Sequence, residues 1–442
     1  MSVLADVLPA DWQILWITQH GRQAAELWCR EQQHLQQSAN VTRTDRIEVA
    51  GEVSDDQLLS MQAAIVATSP HTHGAWLQRL LCAQVPTLCE KPLVLDPQQA
   101  DELERQAVAA NCPLGVNLEL HYATYVERFA RLVSGWDTPL ATTALPAATS
   151  YGRSAAAQRP QLANSRTPDM LDDAERKAKF VRQTQLDHSQ ARHVELQWLD
   201  PWSEMRYGET KYSDVYTNIV DDMFPHCWSL LRHVTGLDDW QIKQVEYLPD
   251  SDVQLSLFHG NPVGGDTSAN IRLSRRARQR TRLMSVRLAG RGDKLQTDAE
   301  LDFSSEPGFI EQAGERHELQ WDGERPLTRS LKSFLSVINA HRSGDARAWQ
   351  SWPLSIVACR HSTQLSTAIA AQLLRAQQQW FQRCLAGDEF FADAHGEAFR
   401  QRLWVDMFVP IAAAAGQRVE FTDPQQLQNF FDSIAQSSRR TL

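Results

Sequence analysis

Across residues 63–116, short apolar runs alternate with segments of helical periodicity. That alternation restricts the segment to β-α-β units, because parallel strands need a crossover long enough to hold a helix. Residues 64–67 read as a buried strand that runs into the polar loop Thr68, Ser69, Pro70, His71, Thr72 and His73. A helix follows, with Trp76, Leu77, Leu80 and Leu81 on its inner face. Residues 86–89 form the next strand, which stops at Glu90, Lys91 and Pro92, and 97–110 form a helix with Leu103 and Ala107 inward. Residues 114–117 close the pattern. Upstream, the apolar stretch 12–17 and the good helix formers of 23–33 supply an opening strand and helix of the same sheet, whereas 42–51 shows no strand ending in an acidic residue.

Beyond about residue 125 the alternation weakens, and 141–192 contains a polar stretch rich in Ala, Arg, Gln and Ser that reads as an insertion. Residues 194–198, 253–258, 269–273 and 281–288 then read as strands, several with the period-two alternation of a half-exposed antiparallel sheet. Helical periodicity returns at 327–341 and 353–374. The expected class is α/β, with a Rossmann-like parallel domain over 1–125 and an α/β domain with a largely antiparallel open sheet over 126–379. A helical extension over 380–442 completes the chain, and its Trp380, Phe381, Trp404 and Phe408 need burial.

A formal net charge of -10 argues against nucleic acid and anionic membrane as partners. Five arginines between Arg275 and Arg282 do not change this, since Arg278, Arg280 and Arg282 alternate as on the solvated side of a sheet or at a subunit interface. The partner expected is a small molecule, with a homo-oligomer formed through the C-terminal sheet or a partner protein alongside it. Seven dispersed cysteines with no C-x-x-C pair fit reduced thiols and a cytoplasmic location. No apolar run reaches the roughly eighteen residues of a membrane span. His71, His73 and His121 lack the spacing of a metal site, so no metal is expected.

Lys91 stands at the end of a parallel strand, where open α/β sheets hold their ligands, and only seven lysines accompany thirty-seven arginines. Asp222 and His226 are four apart and share a helix face, a spacing that lets a carboxylate orient a substrate hydroxyl while imidazole takes its proton. The plainer reading makes Asp222 the cap of a helix beginning at Met223. Arg206 and Lys211, in a charged aromatic loop, are suited to a carboxylate or phosphate, or to a solvated turn.

The loop from Thr68 to His73 with Glu90, Lys91 and Pro92 resembles the T-P-x-x-x-H and E-K-P signature of the Gfo/Idh/MocA (glucose-fructose oxidoreductase and inositol dehydrogenase) family. Gly115 to Tyr122 is similar to the family's strand leaving the nucleotide domain, 222–226 to its D-x-x-x-H helix, and 285–292 to its sheet strand ending in a glycine turn. The resemblance covers residues 12–375 and implies hydride transfer between NAD or NADP and a small polar substrate such as a sugar, cyclitol, hydroxy acid or imine. It assigns Lys91, Asp222 and His226 to catalysis. Thr18, His20, Gly21, Thr68, Ser69, Pro70, His73, Glu90 and Lys91 would meet the cofactor, and His121, Tyr122, Arg206 and Lys211 the substrate. One departure is plain: Thr18, His20 and Gln23 stand where the dinucleotide turn G-x-G-x-x-G needs glycines. A family member that has lost the dinucleotide, and serves as a binding subunit or a non-redox enzyme such as a lyase, is the competing expectation.

Overall fold

The computed structural model describes residues 2–9, 11–18, 21–39, 46–134, 192–206, 209–212, 217–248, 252–260, 267–288, 298–321, 323–345 and 347–386. After a short helix α1 (Ser2–Val7), strand β1 (Ile14–Ile17), helix α2 (Arg22–Ala39) and strand β2 (Ile47–Ala50) form a parallel pair. Helix α3 (Asp55–Ser60) leads to β3 (Ala64–Val66), α4 (Pro70–Cys82), β4 (Thr87–Glu90), α5 (Pro97–Ala109) and β5 (Leu114–Asn117), whose strands make a separate parallel sheet ordered β3-β4-β5. The strand β2 does lie within 42–51, but it ends at Ala50 rather than at an acidic residue. Its four residues, Ile47 to Ala50, pair in register with all of β1, and pairing of that kind is invisible in so short a run.

Both fully described crossover helices start where the backbone demands it. Pro70 and Pro97 occupy first-turn positions, where a missing N–H loses nothing, and Asp96 accepts the Gln98 amide at 2.9 Å. Leu77, Leu80 and Leu81 from α4 and Leu103 and Ala107 from α5 are buried against the sheet, as their spacing requires.

A 3-10 turn (Glu119–Tyr122) and helix α6 (Thr124–Ser134) lead towards the second sheet. Its strands are β6 (Arg192–Leu199), β9 (Gln241–Tyr247), β10 (Val253–His259), β11 (Thr267–Ser274), β12 (Thr281–Leu288), β13 (Asp298–Asp302), β14 (Phe309–Gln312) and β15 (Glu315–Glu318), in the order β15-β14-β13-β12-β6-β11-β10-β9. Every neighbouring pair is antiparallel except β6 with β11. The hairpin β7 (Ser203–Arg206) and β8 (Glu209–Tyr212) stands apart. Helices α7 (Ile219–Thr235), α8 (Pro326–Arg342) and α9 (Ile356–Ala386) complete the fold, with α6, α7 and α9 packing on the large sheet. Val194, Leu196 and Trp198, Ile271 and Leu273, and Met284 and Val286 are buried beneath them, while His193, Glu195, Asn270 and Arg272 alternate to the other face.

Two expectations are corrected. The helix carrying Asp222 begins at Ile219 and is capped by Asn218, whose side chain accepts the Val220 amide at 2.8 Å, so Asp222 does not cap it. Arg282 faces the core rather than solvent. It shares a strand face with Met284 and Val286 and is 2% exposed. The insertion up to residue 191, the glycine turn 290–292 and 387–442 lie outside the described residues. Among those described, no helix is long and apolar enough to cross a membrane, and no His, Cys, Asp and Glu group forms a metal cluster.

Strand β5 also bonds the segment that leads into α9. Val116 donates its amide to the Leu354 carbonyl at 2.8 Å, and a side chain at Gly115 would come within 2.1 Å of the Trp352 ring and 2.9 Å of the Leu354 oxygen. The Gly115→Ala variant should therefore lose about 1–3 kcal/mol of stability, the range for overpacking a tight core, as read by urea unfolding.

Candidate functional site

The carboxyl ends of β3, β4 and β5 build one side of the site and the first turns of α7 build the other. His73, fully buried, braces the sheet side: its ring nitrogens face the Thr68 carbonyl at 3.0 Å and the Pro92 and Leu93 carbonyls at 2.9 and 3.2 Å. The loop after β3 and the turn after β4 are thereby tied by one ring. The Thr68 and Thr72 hydroxyls bond at 2.7 Å, and Ser69 precedes Pro70 at the head of α4 without a side-chain cap.

Asn117, at the end of β5, uses both ends of its amide. Its nitrogen donates to Glu90 at 2.7 Å and, more weakly, to Glu119 at 3.5 Å, and its oxygen accepts the Ser330 hydroxyl at 2.8 Å. Burial, reinforced by Glu90 and Glu306 and opposed by Lys91, pushes the Glu119 carboxyl up to about 7.

Lys91 crosses to the helix. Its ammonium donates to the Asp222 carboxylate at 2.7 Å and to the Asp222 carbonyl at 2.6 Å. The second carboxylate oxygen accepts Arg275 at 3.2 Å, and Arg275 also donates to the Thr217 carbonyl at 2.8 Å. Burial alone would raise the Asp222 carboxyl, but Lys91 and Arg275 outweigh it and hold the group well below the usual carboxylate range. Its neighbour Asp221 has the opposite balance: burial, with Asp222 adding to it and Arg275 opposing, pushes it up to about 7. His226 lies one turn on. Burial and then Lys91 hold its imidazole well below the ordinary value against the pull of Asp222, so the ring is neutral at physiological pH. Its Nδ1 is buried with no hydrogen-bond partner among the described residues.

Lys91 and Asp222 thus meet with His226 one turn on, and Thr68, Ser69, Pro70, His73 and Glu90 line the strand-end side, whereas the expected substrate residues stand elsewhere. His121, in the 3-10 turn, meets His233, two turns further along α7 than His226, with their Nδ1 atoms 3.4 Å apart. The Tyr122 hydroxyl is spent on Ser333 at 2.5 Å and Trp352 at 2.9 Å, and bridges towards α8. Arg206 and Lys211 stand on the paired strands β7 and β8, and only their backbone is described. His20 lies outside the described residues. Sequence reasoning missed Arg275, Glu119 and Asn117, and it missed the stack of Trp198 with His226 and Arg282. For Arg282 a signal existed, because it shares parity with Met284 and Val286.

With this geometry in view, the relationships to known proteins follow. Residues 12–118 match the model of the Gfo/Idh/MocA family, an oxidoreductase family with an NAD-binding Rossmann fold. Myo-inositol dehydrogenase Hyg17 of Streptomyces leeuwenhoekii is 33% identical over 88 residues, 20% of this chain and 27% of that protein, so the chain matches about a quarter of that relative. The N-terminal segment 12–118 is thus similar to the Gfo/Idh/MocA oxidoreductase family. Over 83% of its length the chain is similar in fold to 98% of UDP-N-acetylglucosamine 3-dehydrogenase GnnA from Acidithiobacillus ferrooxidans, at 18% identity and a TM-score of 0.50. Over 84% it is similar to 92% of KijD10, a 3-ketoreductase from Actinomadura kijaniata solved with NADP and TDP-benzene, at 13% identity and a TM-score of 0.50.

The turns after β3 and β4 and the turn after β1, which lie on separate sheets, suit a nicotinamide dinucleotide unequally. The turns after β3 and β4 are braced and present Lys91. At the turn after β1, by contrast, the Gly21 amide at the head of α2 already donates to the Thr18 hydroxyl at 3.1 Å. A helix-terminal amide engaged in this way is withdrawn from a diphosphate.

A carboxyl that holds its proton more tightly folded than unfolded makes stability fall as pH rises from its unfolded value to its folded one. For Glu119 that window runs from 4.5 to about 7. The Glu119→Gln variant should exceed the parent at pH 8 by on the order of 1–3 kcal/mol in urea unfolding. The gap should close towards pH 5.

Proposed function

We propose that this protein is an NAD(P)-dependent oxidoreductase acting on a hydroxyl, or an equivalent imine, of a small polar substrate such as a sugar, cyclitol or hydroxy acid. The observation that carries the reading is the meeting of Lys91, Asp222 and a neutral His226 beside the carboxyl ends of a parallel sheet. A nicotinamide nucleotide bound there would supply the hydride acceptor or donor. The chain's own residues do the rest. Lys91 anchors the substrate oxygen through its ammonium, Asp222 orients Lys91, and the His226 imidazole accepts the hydroxyl proton during oxidation or returns it during reduction. The myo-inositol dehydrogenase match supports a polyol or sugar only by kinship, since its 88 residues amount to 20% of this chain.

One observation favours a second reading, in which the chain has lost the dinucleotide and acts as a binding subunit or a non-redox enzyme such as a lyase: the Gly21 amide is taken by Thr18. Calorimetric titration of the purified protein with NAD, NADP and their reduced forms separates the two. Binding of any of them, even weak, supports the oxidoreductase, and complete absence of binding supports the alternative. In the first case the Thr18→Ala variant should bind about three- to tenfold more tightly, because releasing one amide restores roughly one hydrogen bond to the phosphate. With a turned-over substrate in hand, Lys91→Met and His226→Asn should each lower kcat by about a hundredfold or more; thermal unfolding of His226→Asn should stay within a few degrees of the parent, whereas Lys91→Met, which removes one of the two cations on Asp222, should unfold at a lower temperature.

A further inference from the structure

Among the described residues, His226 finds no hydrogen-bond partner for its buried Nδ1, and such a bond is the usual means of orienting a proton-transferring histidine. It has an aromatic surface instead. The imidazole lies parallel to the Trp198 indole, with ring centroids 4.9 Å apart and planes 5° from coplanar. The same indole carries a cation: the Arg282 guanidinium carbon is 3.8 Å from the Trp198 ring centroid. Arg282 and Trp198 are register partners on β12 and β6 and share the buried face. The guanidinium is fixed in turn. It pairs with the Asp200 carboxylate and donates to the Leu199 and Thr281 carbonyls at 3.0 and 3.2 Å.

We propose that Arg282, locked by Asp200 and laid on Trp198, is a positioning residue that sets the ring plane of His226 and keeps that ring in its proton-accepting form. The role rests on the reading of His226 as the proton-transferring group. Protonating His226 would place a second cation on an indole that already faces one, in a buried setting where like charges are poorly screened. The charged groups that act on His226 are Lys91 from the turn after β4, Asp222 from its own helix, and Arg282 and Arg280 from β12 and the turn before it. Lys91 and Asp222 form a pair, and Arg280 pairs with Glu306 at 3.2 Å. Arg282 is the cation that reaches His226 through a shared ring.

The test is histidine-selective carbon-13 NMR on the full-length protein, with the His226 signal assigned by its loss in His226→Gln. Arg282→Gln should raise the His226 titration midpoint by about one pH unit, the scale of a nearby charge removed. Asp200→Asn, which leaves the guanidinium uncompensated, should move the midpoint the other way. Arg282→Lys keeps the charge without the planar fork, and should hold the midpoint near that of the parent while the ring signal broadens or shifts as the stack loosens. Opposite displacements in the first two variants support the proposal, and an unmoved midpoint in both overturns it. Should Arg282→Gln fail to fold, the direction of Asp200→Asn decides alone. None of these readings needs turnover or nucleotide. If the midpoints move but no nucleotide binds, the positioning device stands and the oxidoreductase reading falls. Where turnover is measurable, the acidic limb of the kcat profile should follow the midpoints.

Discussion

The Lys91–Asp222 ion pair joins two parts of the chain that share neither a sheet nor sequence proximity. Its partners are 131 residues apart and partly buried, at 17% and 28% side-chain exposure. Removing two charges from water is favourable only when the remaining lone pairs and protons are also engaged. They are here, since Lys91 reaches the Asp222 carbonyl as well and Arg275 takes the second carboxylate oxygen. Two acidic residues in the first turn of α7 also suit the positive end of its dipole. With that first turn fixed against the strand-end turn, the rest of the helix face follows by periodicity. His226 comes one turn on, and His233 meets His121 two turns later.

Several polar residues near the site act as braces. His73 ties Thr68 to Pro92 and Leu93, and Tyr122 is held between Ser333 and Trp352. Asn117 fastens Glu90 and Ser330 with the two ends of one amide. Such bonds preorganise the rim of the sheet, because each brace satisfies buried polar groups that would otherwise have to find partners at the moment of binding. A ligand entering beside Lys91 would meet loops whose conformation is already determined.

Much of this was legible in the sequence, and the limits have physical causes. Residues 114–117 and 281–288 match their strands at both ends because hydrophobic pattern and turn residues agree there. The strand β2 was not legible, since a four-residue edge strand is defined by its partner rather than by its own pattern. The hairpin β7–β8 read as a loop for the same reason. Spacing along one helix gave Asp222 and His226, but Arg275 and Asn117 reach the site through tertiary contacts that no local period records. Arg282 was misread for a different cause. Arginine was assigned to the solvated face by its charge, although Met284 and Val286 on the same parity marked that face as core. A planar guanidinium can be buried when a carboxylate, carbonyls and an indole share its surface, and Asp200, Leu199, Thr281 and Trp198 supply all three.

The turn after β1 and the turns after β4 and β5, which belong to separate sheets, therefore offer a ligand different kinds of contact. At the turn after β1, the Gly21 amide is bonded within the chain, so a ligand there must break the Thr18–Gly21 contact to use that donor. At the turns after β4 and β5 the contacts come from side chains, and Lys91 keeps a third ammonium proton beyond the two it gives to Asp222. A ligand bound as proposed would draw its strongest contacts from groups near Lys91 and the first turns of α7, whereas in the usual dinucleotide folds amides at a helix N-terminus hold the diphosphate.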